Sequence, residues 1–137
     1  MARRKEIERV TFLADRSLGK SIAIALREVD LDVRAMDEVY GDRDGQRILD
    51  EDWLRDAGRN GWAVLTKDKR IRRRELERDA LTEAKVRVFC LTTGKLTGDD
   101  QIERFVSNRF RIVQRARKPG PYICGVYRNE VRTIWPA

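Results

Sequence analysis

Short apolar runs separated by amphipathic segments constrain the fold of this chain more than any other feature of its sequence. Runs of about four to eight apolar residues bounded by polar or turn residues are typical of buried strands. Three such runs occur at Val10–Ala14, Trp62–Thr66 and Val86–Leu91. The alternation of apolar and charged residues across Leu31–Ala35 predicts a shorter fourth strand.

The segments between these runs carry apolar residues at three- and four-residue spacing, which is the period of one buried helix face. They predict helices from a Ser17 N-cap to about Asp30, from Asp50 to Gly58, from Ile71 to Ala84, and from Asp99 or Asp100 through Val106. Alternation of strands and helices favours a mostly parallel sheet with helices on both faces. We therefore predict an α/β fold, a three-layer α/β/α sandwich.

Two segments depart from this alternation. Asp37–Asp50 is polar, contains two glycines and has no clear period, so we predict a long surface loop there. Lys118–Pro121 is a strong turn signal, and the β-rich segments Tyr122–Tyr127 and Val131–Trp135 follow it. They predict a C-terminal hairpin or edge strands added to the sheet. A chain of 137 residues suits a single domain over residues 1–137.

The composition limits which partners and which catalytic mechanisms the chain can have. Lys and Arg number 30 against 23 Asp and Glu, and the formal net charge of +7 favours a polyanionic partner such as nucleic acid. The chain has no histidine, which excludes Ser-His-Asp and Cys-His mechanisms and histidine-based zinc sites. Catalysis would have to use carboxylates, hydroxyls, lysines and arginines.

Cellular context can also be inferred from the sequence. Cys90 and Cys124 lie far apart in apolar segments, so we interpret them as reduced core residues. No apolar run approaches the roughly 20 residues that cross a bilayer, and no signal-peptide core follows the N-terminus. We therefore expect a cytoplasmic protein with no membrane association.

Carboxylates follow two of the predicted strands and begin one of the predicted helices. Asp15 and Asp68 come at strand ends, and Asp50, Glu51 and Asp52 open a helix. Each acid alone could simply cap a helix. The carboxyl ends of parallel strands meet at one edge of a sheet, however, and that edge is where α/β folds bind ligands. Converging carboxylates suit Mg²⁺ or Mn²⁺, which can assist phosphodiester hydrolysis.

A run of cations lies beside the second strand-end acid. Such a run is often a solvated face, but beside an acidic site it could hold the backbone of a nucleic acid. The candidate RNA-binding residues are Lys67, Lys69, Arg70, Arg72 and Arg73.

These motifs carry a family resemblance. The segments Phe12–Gly19, Asp50–Leu54 and Gly61–Arg72 resemble the PIN-like domains grouped with VapC-type toxins. They are similar to the branch with an Asp after strand one, an Asp-Glu-x-Trp-Leu segment and a Leu-Thr-x-Asp segment. The similarity extends over most of the chain. The motifs are short, but their order and spacing together are fairly specific.

The resemblance implies a PIN-like fold and a Mg²⁺- or Mn²⁺-dependent endoribonuclease. Asp15 and Asp68 match the family's metal-binding and catalytic acids, and Asp50 is the best match for the intermediate acid. Glu51 and Asp52 are close alternatives, and Asp99 or Asp100 is the candidate for a fourth acid. The resemblance further implies an RNA substrate and, for a toxin, a cognate antitoxin. A second copy of the chain is another candidate partner.

Three other interpretations compete with this one. A PIN-like module could bind RNA or a protein without cutting. Gly19-Lys20-Ser21 is similar to the end of a phosphate-binding loop, although the first glycine of that motif would fall at Ala14. A receiver-like domain would also place aspartates at strand ends, but there the Thr-Lys pair lies on a later strand, whereas Thr66-Lys67 shares a strand with Asp68.

Overall fold

A six-stranded sheet forms the centre of the molecule. The computed structural model describes residues 9–136. The strand order is β2-β1-β3-β4-β5-β6, and every neighbouring pair is parallel except β5 and β6. The strands are β1 Thr11–Ala14, β2 Asp32–Ala35, β3 Ala63–Thr66, β4 Arg87–Leu91, β5 Tyr122–Val126 and β6 Val131–Trp135.

Helices connect these strands along the chain. Within residues 9–136 there are seven α-helices, and a 3₁₀ turn at Ile71–Arg73 precedes the fifth. The helices are α1 Lys20–Glu28, α2 Met36–Tyr40, α3 Asp42–Arg47, α4 Asp50–Arg59, α5 Glu75–Glu83, α6 Gly98–Ser107 and α7 Arg109–Ala116.

Two hydrophobic cores lie on opposite faces of the sheet, because successive residues of a strand point to opposite sides. Phe12 and Phe89 face the core covered by α1, α6 and α7. Leu13 and Val64 face the core covered by α2, α4 and α5. The arrangement confirms the predicted three-layer α/β/α sandwich with a mostly parallel sheet.

The predicted loop over Asp37–Asp50 is wrong, since α2 and α3 occupy most of it. Each of these short helices has one buried residue, Met36 in α2 and Gly45 in α3. A single buried position per helix leaves no period to detect. A Cβ on Gly45 would lie 3.2 Å from the Asp37 backbone, so the glycine permits close packing of the two helices.

The other differences concern element boundaries. Helix α1 begins at Lys20 with Gly19 as its N-cap, not at Ser17. The predicted helix from Ile71 to Ala84 is interrupted at Arg74, whose backbone is extended between the 3₁₀ turn and α5. The sequence does not predict α7 as a separate element.

The predictions for the C-terminal strands and for the two cysteines agree with the structure. Strands β5 and β6 form the predicted C-terminal hairpin, with β5 also paired to β4. Cys90 and Cys124 are free and buried, which confirms their assignment as reduced core residues. Across residues 9–136, no helix combines the length and the apolar character that a membrane crossing requires.

Candidate active site

The candidate site lies at the carboxyl ends of β1 and β3, which are adjacent parallel strands. Asp15 directly follows β1, and its backbone N–H donates to the carbonyl of Leu65 in β3 at 3.0 Å. Asp68 follows β3 by two residues. The parallel pairing therefore brings both strand-end acids to one edge of the sheet, as the sequence predicts.

Asp15 is buried, and both of its carboxylate oxygens accept hydrogen bonds from hydroxyl or amide donors. Its Oδ1 accepts hydrogen bonds from the backbone N–H of Ser17, at 2.8 Å, and from the Ser17 hydroxyl. Its Oδ2 accepts from the Thr66 hydroxyl. Burial raises the pKa of the Asp15 carboxyl, while these hydrogen bonds act to lower it. Ser17, expected to be a helix cap, instead holds this carboxylate in place.

Asp68 is more accessible than Asp15, with a side chain 24% exposed. The Thr66 hydroxyl that donates to Asp15 also accepts the backbone N–H of Asp68 at 3.0 Å, so one side chain links the two acids. Asp68 Oδ1 accepts the backbone N–H of Arg70 at 3.1 Å, and Asp68 Oδ2 pairs with Arg74 at 2.9 Å.

Asp50 reaches the same region from the first residue of α4. Its Oδ1 accepts hydrogen bonds from Trp53 Nε1 at 2.9 Å and Arg16 Nη2 at 3.0 Å. Trp53 is only 2% exposed, so the Asp50 carboxylate is held by a ring fixed in the core. Burial acts to raise the pKa of Asp50, but hydrogen bonds, those from Trp53 and Arg16 among them, outweigh it and the pKa is lowered.

Glu77 is a fourth acid that the sequence reasoning missed. It lies on α5 with a side chain only 7% exposed, and its Oε1 contacts Arg74 Nη1 at 2.8 Å. Burial raises its pKa, and the nearby Asp50 carboxylate raises it further. Glu77 shares the buried face of α5 with Ala80 and Leu81. That i, i+3, i+4 spacing is the signal that could have identified it.

The less favoured candidate metal ligands lie in the first turns of two helices and have contacts that differ from those of Asp15, Asp50 and Asp68. Asp52 is exposed and contacts Arg55 at 4.0 Å. Asp99 and Asp100 are exposed in the first turn of α6, where the Thr97 hydroxyl accepts the backbone N–H of Asp100. Glu51 is partly exposed in the first turn of α4. Among the described side chains, none of these four acids shares a hydrogen-bond partner with Asp15, Asp50 or Asp68.

The predicted RNA-binding cations follow β3 and lie beside the acids. Lys67, Lys69, Arg70 and Arg73 are exposed, and Arg72 is partly exposed. Lys67 and Lys69 line a cavity of about 280 Å³ together with Lys95 and Gly94. Two of the three lysines that line this pocket, Lys67 and Lys69, therefore flank Asp68 in the chain.

The donor set has the right chemistry for a hard divalent cation, since carboxylate and hydroxyl oxygens are the ligands that Mg²⁺ and Mn²⁺ prefer. In their present positions, however, three of these acids are paired with an arginine and not arranged around one ion. Over residues 9–136, no three acidic or cysteine side chains are placed to hold one metal ion together. Arg74 contacts Asp50, Asp68 and Glu77 instead.

Comparison with known proteins identifies relatives. A family profile described as a PIN like domain matches residues 10–93, a span that includes Asp15, Asp50, Asp68 and Glu77. The chain is 30% identical over 118 residues to a Mycobacterium tuberculosis protein named "Putative ribonuclease VapC45", covering 85% of this chain and 86% of that protein. No solved structure matches the chain.

Proposed function

The chain belongs to the PIN-like domain family, and we propose that it is a Mg²⁺- or Mn²⁺-dependent endoribonuclease, the toxin of a toxin–antitoxin pair. The observation that carries this proposal is the convergence of Asp15, Asp50 and Asp68 beside exposed cations. The name of the mycobacterial relative supports the activity on RNA. The cytoplasm is the proposed location, and a cognate antitoxin is the proposed partner.

Asp15, Asp50 and Asp68 are the proposed catalytic and metal-binding acids. Asp50 is preferred to Glu51 and Asp52 because Arg74 contacts both Asp50 and Asp68. Glu77 is the proposed fourth acid, in place of Asp99 or Asp100, because the same Arg74 contacts it as well. Asp15 follows β1, Asp50 begins α4, Asp68 follows β3 and Glu77 lies on α5, so the proposed site combines side chains from four segments of the fold.

The RNA backbone is proposed to lie across the cations that follow β3. Lys67, Lys69 and Arg70 are exposed there, and Lys95 faces the same pocket from the loop after β4. Phosphates bound by these cations would place the scissile phosphodiester close to Asp68. Binding of this kind is electrostatic and does not depend on base sequence.

The first expected result is cleavage of RNA by the purified protein with Mg²⁺ or Mn²⁺, and loss of cleavage when EDTA removes the metal. The measurement is gel analysis of labelled RNA, with Asp68→Asn protein purified in parallel to detect a contaminating nuclease. Absence of cleavage across a broad RNA panel, together with unchanged growth on expression, would favour the alternative of a PIN-like module that binds RNA or a protein without cutting. The pairing of Arg16 and Arg74 with the acids is the observation on which that alternative rests.

The second expected result concerns RNA binding in EDTA, where no cleavage occurs. Reversing the charge in Lys69→Glu or Lys95→Glu should weaken binding on the order of tenfold, and each lost phosphate contact should reduce the slope of log K against log[salt] by about 0.7. Fluorescence anisotropy with a labelled single-stranded RNA measures both quantities.

Lys85→Glu is the matched control for these charge reversals. Lys85 is exposed and, like Lys95, has a positive φ, but it precedes β4 and so lies at the opposite edge of the sheet. We expect a smaller loss of affinity and an unchanged salt slope for this variant. Equal losses in all three variants would mean that the lysine pocket is not the RNA site.

A further inference from the structure

A single nitrogen atom of Arg74 contacts carboxylates from three separate segments of the chain. Arg74 Nη1 lies 2.9 Å from Asp68 Oδ2, 2.8 Å from Glu77 Oε1 and 3.5 Å from Asp50 Oδ2. A cation in contact with three converging acids occupies the kind of position that a metal ion would need. Arginine remains charged at every relevant pH, so it can leave these acids only by moving.

The chain places Arg74 there by interrupting a helix. Ile71 is buried and anchors the 3₁₀ turn, and Arg74 then adopts an extended backbone as the N-cap of α5. The preceding Arg73 is exposed, whereas the Arg74 side chain is only 35% exposed and directed to the acids. The break between the two helical segments therefore selects one arginine from a run of cations.

The acids need a counter-ion when no metal is bound. Carboxylates held a few ångströms apart repel one another unless a cation lies between them. Arg16 contacts only Asp50 among the four acids, and Asp15 is held by neutral donors. Arg74 is thus the cation that joins Asp50, Asp68 and Glu77, and a shared guanidinium is compatible with their present spacing.

We propose that Arg74 is an internal counter-ion that holds the acidic site together without metal and is displaced when a divalent cation binds. Metal binding is then an exchange of one cation for another, and Arg74 lowers the affinity of the resting protein for metal. This inference rests on the proposed metal-dependent function. It also accounts for the absence, among the described residues, of three acids arranged around a single ion.

The test compares Mn²⁺ binding by metal-free wild type, Arg74→Gln and Arg73→Gln, using isothermal titration calorimetry and thermal unfolding. Without metal, Arg74→Gln should melt below wild type because its acids lose their counter-ion. Its affinity for Mn²⁺ should be higher on the order of tenfold, and its melting temperature should rise more when Mn²⁺ is added. Arg73→Gln removes the same charge from the neighbouring position, a candidate RNA-binding residue outside the acidic cluster, and should match wild type in Mn²⁺ affinity and in metal-free melting temperature.

A double variant tests whether the gain in Mn²⁺ affinity arises at the acidic site. Asp68→Asn combined with Arg74→Gln should lose the gain in affinity if the metal enters the site that Arg74 leaves. Equal affinities in wild type and Arg74→Gln would overturn the inference, as would an equal gain in Arg73→Gln or no Mn²⁺ binding by any variant. Tighter Mn²⁺ binding by Arg74→Gln without RNA cleavage by wild type would support the exchange and contradict the proposed function.

A measurement on wild type covers the case in which Arg74→Gln does not fold. The Arg74 Nε–Hε signal in a ¹⁵N NMR spectrum should shift during a Mg²⁺ titration and approach the values of a solvated arginine, with the Arg73 signal as an internal control. A titration that shifts the signals of Asp50 and Asp68 while the Arg74 signal stays constant would contradict the displacement.

Discussion

Replacing Asp68 with asparagine should lower the rate of RNA cleavage on the order of 10³-fold, the upper end of the effect of removing one preorganised group that stabilises a transition state. The substitution keeps the shape of the side chain and removes its charge. Asp68 is more accessible than the buried Asp15, with neighbours Arg70 and Arg74 at its carboxylate. A single-turnover cleavage assay at saturating metal measures the loss.

The fold should survive this change. Arg74 keeps its contacts with Glu77 and Asp50, so circular dichroism and the melting temperature should remain close to those of wild type. Asp52→Asn is the matched control, because Asp52 is an exposed acid of the Asp50–Asp52 cluster that contacts Arg55, and its cleavage rate should be unchanged. Full activity in Asp68→Asn would remove Asp68 from the catalytic group, and a large loss in Asp52→Asn would shift the assignment within the cluster.

The strands and most of the helices could be predicted because their apolar residues repeat along the sequence. Strand β3 is buried at all four positions, and a short apolar run is the direct signature of such a strand. Helices α2 and α3 could not be predicted in this way, since their position depends on tertiary packing around Met36 and Gly45. A repeating apolar pattern indicates which positions of one helix or strand are buried. A helix with a single buried residue has no such repeat.

The convergence of the acids could be predicted from topology, whereas their partners could not. Asp15 and Asp68 follow neighbouring parallel strands, and the strand order alone brings them to one edge. Ser17 and Thr66 donate hydrogen bonds to Asp15, and Glu77 contacts Arg74. These contacts depend on the direction in which each side chain points once the chain has folded, and the sequence pattern does not give that direction. Arg74 belongs to a run of arginines and lysines that looks uniformly solvated in the sequence.

Glycine at position 58 is the other point at which a small substitution should have a large effect. Gly58 lies in α4, and a Cβ there would be 2.3 Å from the Ala84 carbonyl oxygen and 2.5 Å from the Ala84 Cβ. Helix propensity alone predicts that Gly→Ala stabilises a helix by about 1 kcal/mol. Because the neighbour is backbone at the end of α5, we expect Gly58→Ala instead to lower the free energy of unfolding by about 3 kcal/mol, the upper end for overpacking.

The sign of the change in the free energy of unfolding shows which effect dominates. Helix propensity would make Gly58→Ala more stable, whereas close packing of α4 against α5 would make it less stable. Gly98→Ala is the control, since Gly98 begins α6 and a Cβ there meets nothing within 4 Å, so its stability should be unchanged or rise by up to about 1 kcal/mol. Urea unfolding of both variants measures the difference, and a Gly58→Ala protein as stable as wild type would mean that α4 and α5 can separate freely.

Helix α4 also carries Asp50, so a helix displaced by the added methyl group should move this carboxylate away from Arg74. Cleavage should therefore fall in Gly58→Ala at temperatures where the protein is still folded, and remain at the wild-type rate in Gly98→Ala.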